Sequence, residues 1–264
     1  MKKIMSLIDV FVWNSGLNIS RSMQYRFNFF TGMIITLLFT LTGPLIQYLF
    51  FTQTKGFPGW SLQQIILFQG VLLTTIGLRN TLFGTAKTQF IGLIRRGEFD
   101  RFLLRPFPPM ALLLASSFSL DGIGTLIVGV VLTIYSIVKL TLTITLWQLG
   151  LFILCILFGL LLSAALDILH CSIIILTVAD GGVRGIMEAY LKFSEYPLEI
   201  YTKYLKIMFM SFLPIAIFVY FPAQILLNRI DIKVLLTFGS IVVFFILSSF
   251  FWKVVLKKYT SAGG

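Results

Sequence analysis

Residues able to do chemistry are few in this chain, and they fall in three places. His170 stands beside Cys171, but a lone His and Cys without further ligands do not complete a metal site, so no metal is expected. Asp180 and Arg184 are four apart, one helical turn, and can pair as an intramembrane polar couple; Gly181 and Gly185, each the next residue, have the GxxxG spacing that lets helices approach. The densest place is Ile94 to Pro109, IRRGEFDRFLLRPFPP, where Arg95, Arg96, Glu98, Asp100, Arg101 and Arg105 alternate with Phe99, Phe102, Leu103 and Leu104 around Gly97. Both signs of charge beside large apolar anchors suit a protein groove better than plain water or an anionic bilayer, which makes this a docking element. No residue set points to catalysis. There is no GxxxxGK[ST] loop, and the glycines of DGGVRG lack the lysine that would meet a phosphate, so any ATP-driven work needs another chain. Ser and Thr are scattered through apolar runs, where they bond backbone or a neighbouring helix, and no nucleophile has an adjacent base.

The elements that must position these residues follow from composition. The 264 residues are 58% hydrophobic and 12% charged, with a mean hydropathy of +0.96. Soluble domains hold about 25% charged residues, so a water-soluble globule is excluded. The apolar runs lack strand alternation, which leaves an all-α integral membrane protein whose helices satisfy their own backbone hydrogen bonds in lipid. The net charge of +11 is not gathered on a soluble domain, so it speaks for positive residues retained on the cytoplasmic face and not for nucleic acid. Cys155 and Cys171 both lie in apolar stretches and imply no disulfide framework. The first residues lack a signal-peptide core with a small-residue cleavage site and read as mature protein.

In order along the chain, residues 1–28 carry Ile4, Leu7, Ile8 and Phe11 at helical spacing, which predicts a helix lying in the cytoplasmic interface. Spans are predicted from about Phe29 to Phe51, Leu62 to Leu82, Met110 to Val138, Leu146 to Leu166 and Val234 to Leu256, since roughly 20 residues cross the hydrocarbon. Between Asp167 and Asp231 two threadings fit. In one, the fourth span runs on to about Val178, residues 180 to 206 are cytoplasmic, and Lys206 to Leu227 is the fifth span. In the other, a tight turn near Asp167 starts a fifth span over 168–191, and 194–228 dips into the outer leaflet and returns, broken at Pro214 and Pro222. Both give six spans and two cytoplasmic termini. The first leaves only Lys55, Lys139, Arg229 and Lys233 outside; the second moves Lys192, Lys203 and Lys206 out and places Arg184 in the membrane, so the first obeys the positive-inside rule better.

LIRRGEFDRFLLRPFPP resembles the G-E-F/L-D-x-x-L-L-R-P signature of the bacterial six-helix permeases in the type-two ATP-binding-cassette exporter group. YRFNFF before the first span, FSEYPLEIY followed by LPIAIFVYFPAQILL, and the ending KKYTSAGG are similar to further motifs of that family. The matches run from about Tyr25 to Gly263, and the resemblance implies that the whole chain, 1–264, is a single transmembrane permease domain. The resemblance implies an exporter subunit in the bacterial cytoplasmic membrane that binds no cofactor itself. ATP and Mg would be held by a partner cassette ATPase dimer, and a second homologous permease, or a second copy of this chain, would complete the path. It implies that 84–109 holds a coupling helix seated on the ATPase, with Arg95, Arg96, Gly97, Glu98, Asp100, Arg101 and Arg105 as the coupling residues. It also implies outer re-entrant helices, which favours the second threading. A transported substrate would be amphipathic. The competing readings are a membrane scaffold that recruits a soluble partner without transport and, third, a lipid-acting intramembrane enzyme.

Overall fold

The structure is a computed structural model that describes residues 2–54, 56–177 and 182–260. Among these residues all regular structure is helical. The first helix, α1 (Lys2–Gln24), is separate from α2 (Arg26–Gln53), with a break at Tyr25. It lies against the end of the bundle, where the Asn18 side-chain amide donates to the Phe118 carbonyl at 2.8 Å and Phe11 meets Phe118 edge-on at 5.9 Å. By contrast, α2 is apolar all round and none of its central window is buried inside the chain. Such a helix has lipid or another chain for its solvent. Pro44 lies inside it and removes one backbone hydrogen bond without ending the helix.

Ser61 starts α3 (Leu62–Phe83) with a reciprocal cap. Its hydroxyl accepts from the Gln64 amide at 3.3 Å while the Gln64 side chain accepts from the Ser61 amide at 3.1 Å. There follow α4 (Ala86–Arg95), α5 (Phe99–Leu103), α6 (Pro109–Ala115) and α7 (Ile123–Lys139). The pairing of α3 with α7 is backbone against backbone: a methyl group placed on Gly70 would sit 2.6 Å from the Thr133 amide nitrogen. Small residues at such a seam replace the hydrophobic driving force that lipid removes.

The next helix, α8 (Leu146–Thr177), is unbroken. Its 32 residues span about 48 Å, against a hydrocarbon core of about 30 Å. It begins where Gln148 bonds Asn228, near the point where Arg229 donates to the Gly59 carbonyl, and ends among Phe90, Ile94 and Phe99. These two places define a Trp60 end and a Phe99 end of the bundle. After it, α9 (Val183–Lys192) runs back along α3 in the opposite sense. Arg184 shares a cavity with Lys87, Ser194 and Glu195 share one with Leu72, and Glu199 bonds Trp60.

Residues 183–200 therefore traverse the bundle although they are too charged to stand out as an apolar span. The chain then makes α10 (Lys203–Met210) and α11 (Tyr220–Leu226). The helical stretches on either side of Pro214 are bent by 74°. The Phe218 carbonyl accepts from Thr75 at 2.9 Å, level with the middle of α3, and Asn228 is back at the Trp60 end. Finally α12 (Lys233–Leu256) descends along α8, with Phe158 and Phe238 4.2 Å apart near one end and Trp252 beside Phe90 at the other.

The structure corrects both threadings. No turn lies at Asp167, which is inside α8, because nothing between Leu146 and Thr177 breaks the helical ladder. Lys206 to Leu227 is not one straight helix, since it is bent by 74° around Pro214. The long fourth helix of one threading is joined to the returning fifth segment of the other. Lys55 and Asp180 lie outside the described residues.

Candidate functional site

The arginine-rich segment is not one stiff helix but two, α4 and α5, joined at Gly97. Glu98 N–H donates to the Leu93 carbonyl at 2.9 Å and Gly97 N–H to the Ile94 carbonyl at 3.1 Å, the paired bonds of a helix end that requires a left-handed residue. Gly97 supplies it with φ of +65°. The turn re-aims the chain so that Phe99 drops into the interior. There it meets Tyr259 at 5.1 Å, Phe90 at 5.2 Å and Trp252 at 6.4 Å, while Phe102 stacks beside it. Two of the aromatic anchors offered by the sequence to a partner are thus spent on the chain's own core. The side chain left outside is Leu104, 87% exposed.

Around Leu104 stand the exposed Arg101 and Arg105, with Arg95 and Arg96 exposed at the far side of the turn and Glu98 and Asp100 partly exposed. Arg105 lies over the Phe102 ring at 5.2 Å. Arg96 bonds Glu98 at 2.9 Å, which holds the Glu98 carboxyl below its ordinary range. All seven sequence-derived residues of this segment lie on the turn at Gly97 and on the chain flanking it.

Deeper in the bundle lies a charge cluster that the sequence reading missed. Asp167, 1% exposed, accepts Lys87 Nζ at 3.0 Å and an Arg79 guanidinium nitrogen at 3.4 Å. Three elements meet there: α3 through Arg79, α4 through Lys87 and α8 through Asp167. The signal was available, since Asp167 is the only carboxylate in the apolar sequence of α8 and such residues mark function or a fixed partner.

Beside this cluster run two cavities that share Arg79, Asn80, Glu188 and Leu191. One, of 170 Å³, is bordered by Lys87, His170 and Arg184. The other, of 310 Å³, continues toward Leu72, Lys192, Glu195 and Phe218. Together they form a groove between α3 and residues 183–200, polar along the α9 side and apolar along much of α3. Arg184 bonds Glu188 at 2.8 Å. The Asp180 half of the pair expected from sequence lies outside the described residues. His170 and Cys171 are both buried on α8, with His170 at the edge of the smaller cavity. Among the described residues no three His, Cys, Asp or Glu side chains come together as a metal would require.

The arrangement combines a multi-pass helical bundle, an open charged groove along it and an arginine-bearing elbow at one end. The family model for the ABC-2 family transporter protein matches residues 34–263. No curated protein matches the chain, and no solved structure does.

Proposed function

Starting from the fact that the chain belongs to the ABC-2 transporter family, as the permease subunit that works with an ATPase subunit, we propose that it exports an amphipathic substrate through the groove between α3 and residues 183–200. The observation that carries this reading is the elbow at Gly97. With Phe99 buried behind it, four exposed arginines and Leu104 form a surface braced on the chain's own core. A lever needs such a brace, because motion is transmitted between packed bodies and lost in flexible ones.

In this reading the Phe99 end is cytoplasmic and sits on the ATPase, and both termini share that side. Arg101 and Arg105 make forked bonds to carboxylates of the ATPase, and Leu104 fills an apolar notch between them. ATP and Mg are bound by the partner. The protein sits in the bacterial cytoplasmic membrane. Arg184, Glu188 and Lys192 are spaced four apart on a segment that crosses the bundle, and their exposed charge is costly against lipid tails. Covering that face with a second permease copy, or with the water of a shared path, removes the cost. Closure of the ATPases then pushes the elbow, and the groove opens first to one side and then to the other.

The test is the double variant Asp100→Ala with Arg105→Ala, expressed with its ATPase subunit. Insertion and thermal stability are expected to match the unaltered protein, while recovery of the ATPase with the permease is lost. Full recovery of an active ATPase with that variant overturns the docking role.

A further inference from the structure

We infer that the substrate is an amphiphile with an anionic head group, a phosphate or another oxyanion, which Arg79 and Lys87 hold at the end of the groove nearer Phe99 while its apolar tail lies along α3. The two cations belong to one frame. Both stand on a single run, Leu62–Arg95, in which Gly84 and Thr85 keep helical conformation between α3 and α4, so their spacing is fixed. Both border the smaller cavity, with side chains 21% and 24% exposed.

They also reach the same oxygen of Asp167, Lys87 at 3.0 Å and Arg79 at 3.4 Å. One carboxylate against two cations leaves a positive charge in excess, and a charge withdrawn from bulk water is costly without a counter-ion. Arg79 is the less satisfied of the two. Charge-assisted bonds are ordinarily about 2.7–2.9 Å long and a guanidinium has several N–H donors, whereas Asp167 Oδ1 at 3.4 Å is the acceptor that the described residues give it. An oxyanion in the cavity can take a forked bond from Arg79 and another from Lys87 while Asp167 keeps its place. The opposite wall does not supply that anion, since Glu188 is bonded by Arg184 at 2.8 Å and its side chain is 57% exposed.

Further from these cations the groove changes character. The larger cavity has Leu72, Ile76 and Phe218 on its α3 side, where Arg79 is the single charged residue of the helix. Lys192 and Glu195, opposite in sign, border it from the other side. The excess positive charge thus lies at one end and apolar surface at the other, which suits an anionic head and a hydrocarbon tail. A cationic head would be repelled where this one is held.

Because this inference rests on the export reading, its test follows binding and ATP hydrolysis separately. The permease with its ATPase subunit is placed in phosphatidylcholine nanodiscs. Equilibrium dialysis compares dodecyl phosphate with dodecyltrimethylammonium, after subtraction of their partition into empty nanodiscs. Dodecyl phosphate is expected to bind about tenfold more tightly or better. Arg79→Gln and Lys87→Gln each leave one cation on Asp167 and are expected to weaken dodecyl phosphate binding by about tenfold, with Arg79→Lys losing less and the cationic probe unaffected. Exchange of the nanodisc lipid for phosphatidylglycerol distinguishes the sources: competition identifies a bilayer lipid and its absence a free amphiphile, and either result supports an anionic head group. Equal binding of the two probes, or unchanged dodecyl phosphate binding in both glutamine variants, overturns the head-group class, while ATP hydrolysis by the same complex leaves the export reading standing. Selective binding by a complex that hydrolyses no ATP overturns the export reading and the substrate role with it.

Discussion

Each end of the bundle is organised around one carboxylate, and the two are held in opposite ways. At the Trp60 end, Glu199 receives the Trp60 indole N–H at 2.8 Å on one oxygen and the Tyr220 hydroxyl at 2.9 Å on the other. Both donors are neutral, both belong to rings, and Trp60 is itself part of the larger apolar core. Toward the Phe99 end, Asp167 is held by two cations on long side chains from two different helices. Ring donors fix a carboxylate in place at small entropic cost. Ammonium and guanidinium groups reach it on flexible stems. The Trp60 end is therefore held by stiff ring donors, and Asp167 by two cations whose charge it balances in part.

That contrast can be broken by measurement. Asp167→Ala strips the counter-charge from two part-buried cations and is expected to destabilise the detergent-purified protein by about 3–5 kcal/mol. Thermal unfolding reads this, and a shift no larger than that of Glu199→Ala erases the distinction. Glu199→Ala removes a charged acceptor from two neutral donors, with an expected loss of about 1.5–3 kcal/mol. Gly97→Ala forces a side chain into left-handed backbone at the elbow, which costs about 1–2 kcal/mol. Hydrogen exchange should locate that loss in residues 93–98, and uniform protection would show that the elbow is not rigid. Thr75→Val deletes the hydroxyl that bridges to the Phe218 carbonyl. Its expected effect is about 0.6 kcal/mol, the average for hydrogen bonds between membrane helices. Smallest is Arg101→Ala, fully on the surface, which is expected to leave unfolding within about 0.5 kcal/mol of the starting protein while weakening recovery of the ATPase.

The candidate site was legible in the sequence to the extent that its residues violate a local rule. Arg95 through Arg105 stand out because charge is scarce elsewhere, and Gly97 stands out as the glycine inside that run. Phe99 and Phe102 were misread as partner-facing. Periodicity cannot tell an inward from an outward aromatic once a left-handed glycine has re-aimed the chain. Asp167 was seen only as a turn signal, since its partners Arg79 and Lys87 lie far away along the chain and come to it only through packing.

The sequence by itself determined a helical membrane protein, the arginine-rich surface and the long apolar spans, apart from the third, which starts at Leu120 and not at Met110 because the chain breaks after Ala115. Each of these depends on a neighbourhood of about 20 residues or fewer, because in lipid every helix must satisfy its own backbone and hydropathy is a local sum. Only the tertiary structure decided that α8 passes Asp167 unbroken, that the charged residues 183–200 go back along α3, and that one carboxylate holds two cations. These outcomes depend on which helices become neighbours. A charged segment can cross the bundle only where other side chains shelter it, and that shelter is not written in the segment itself.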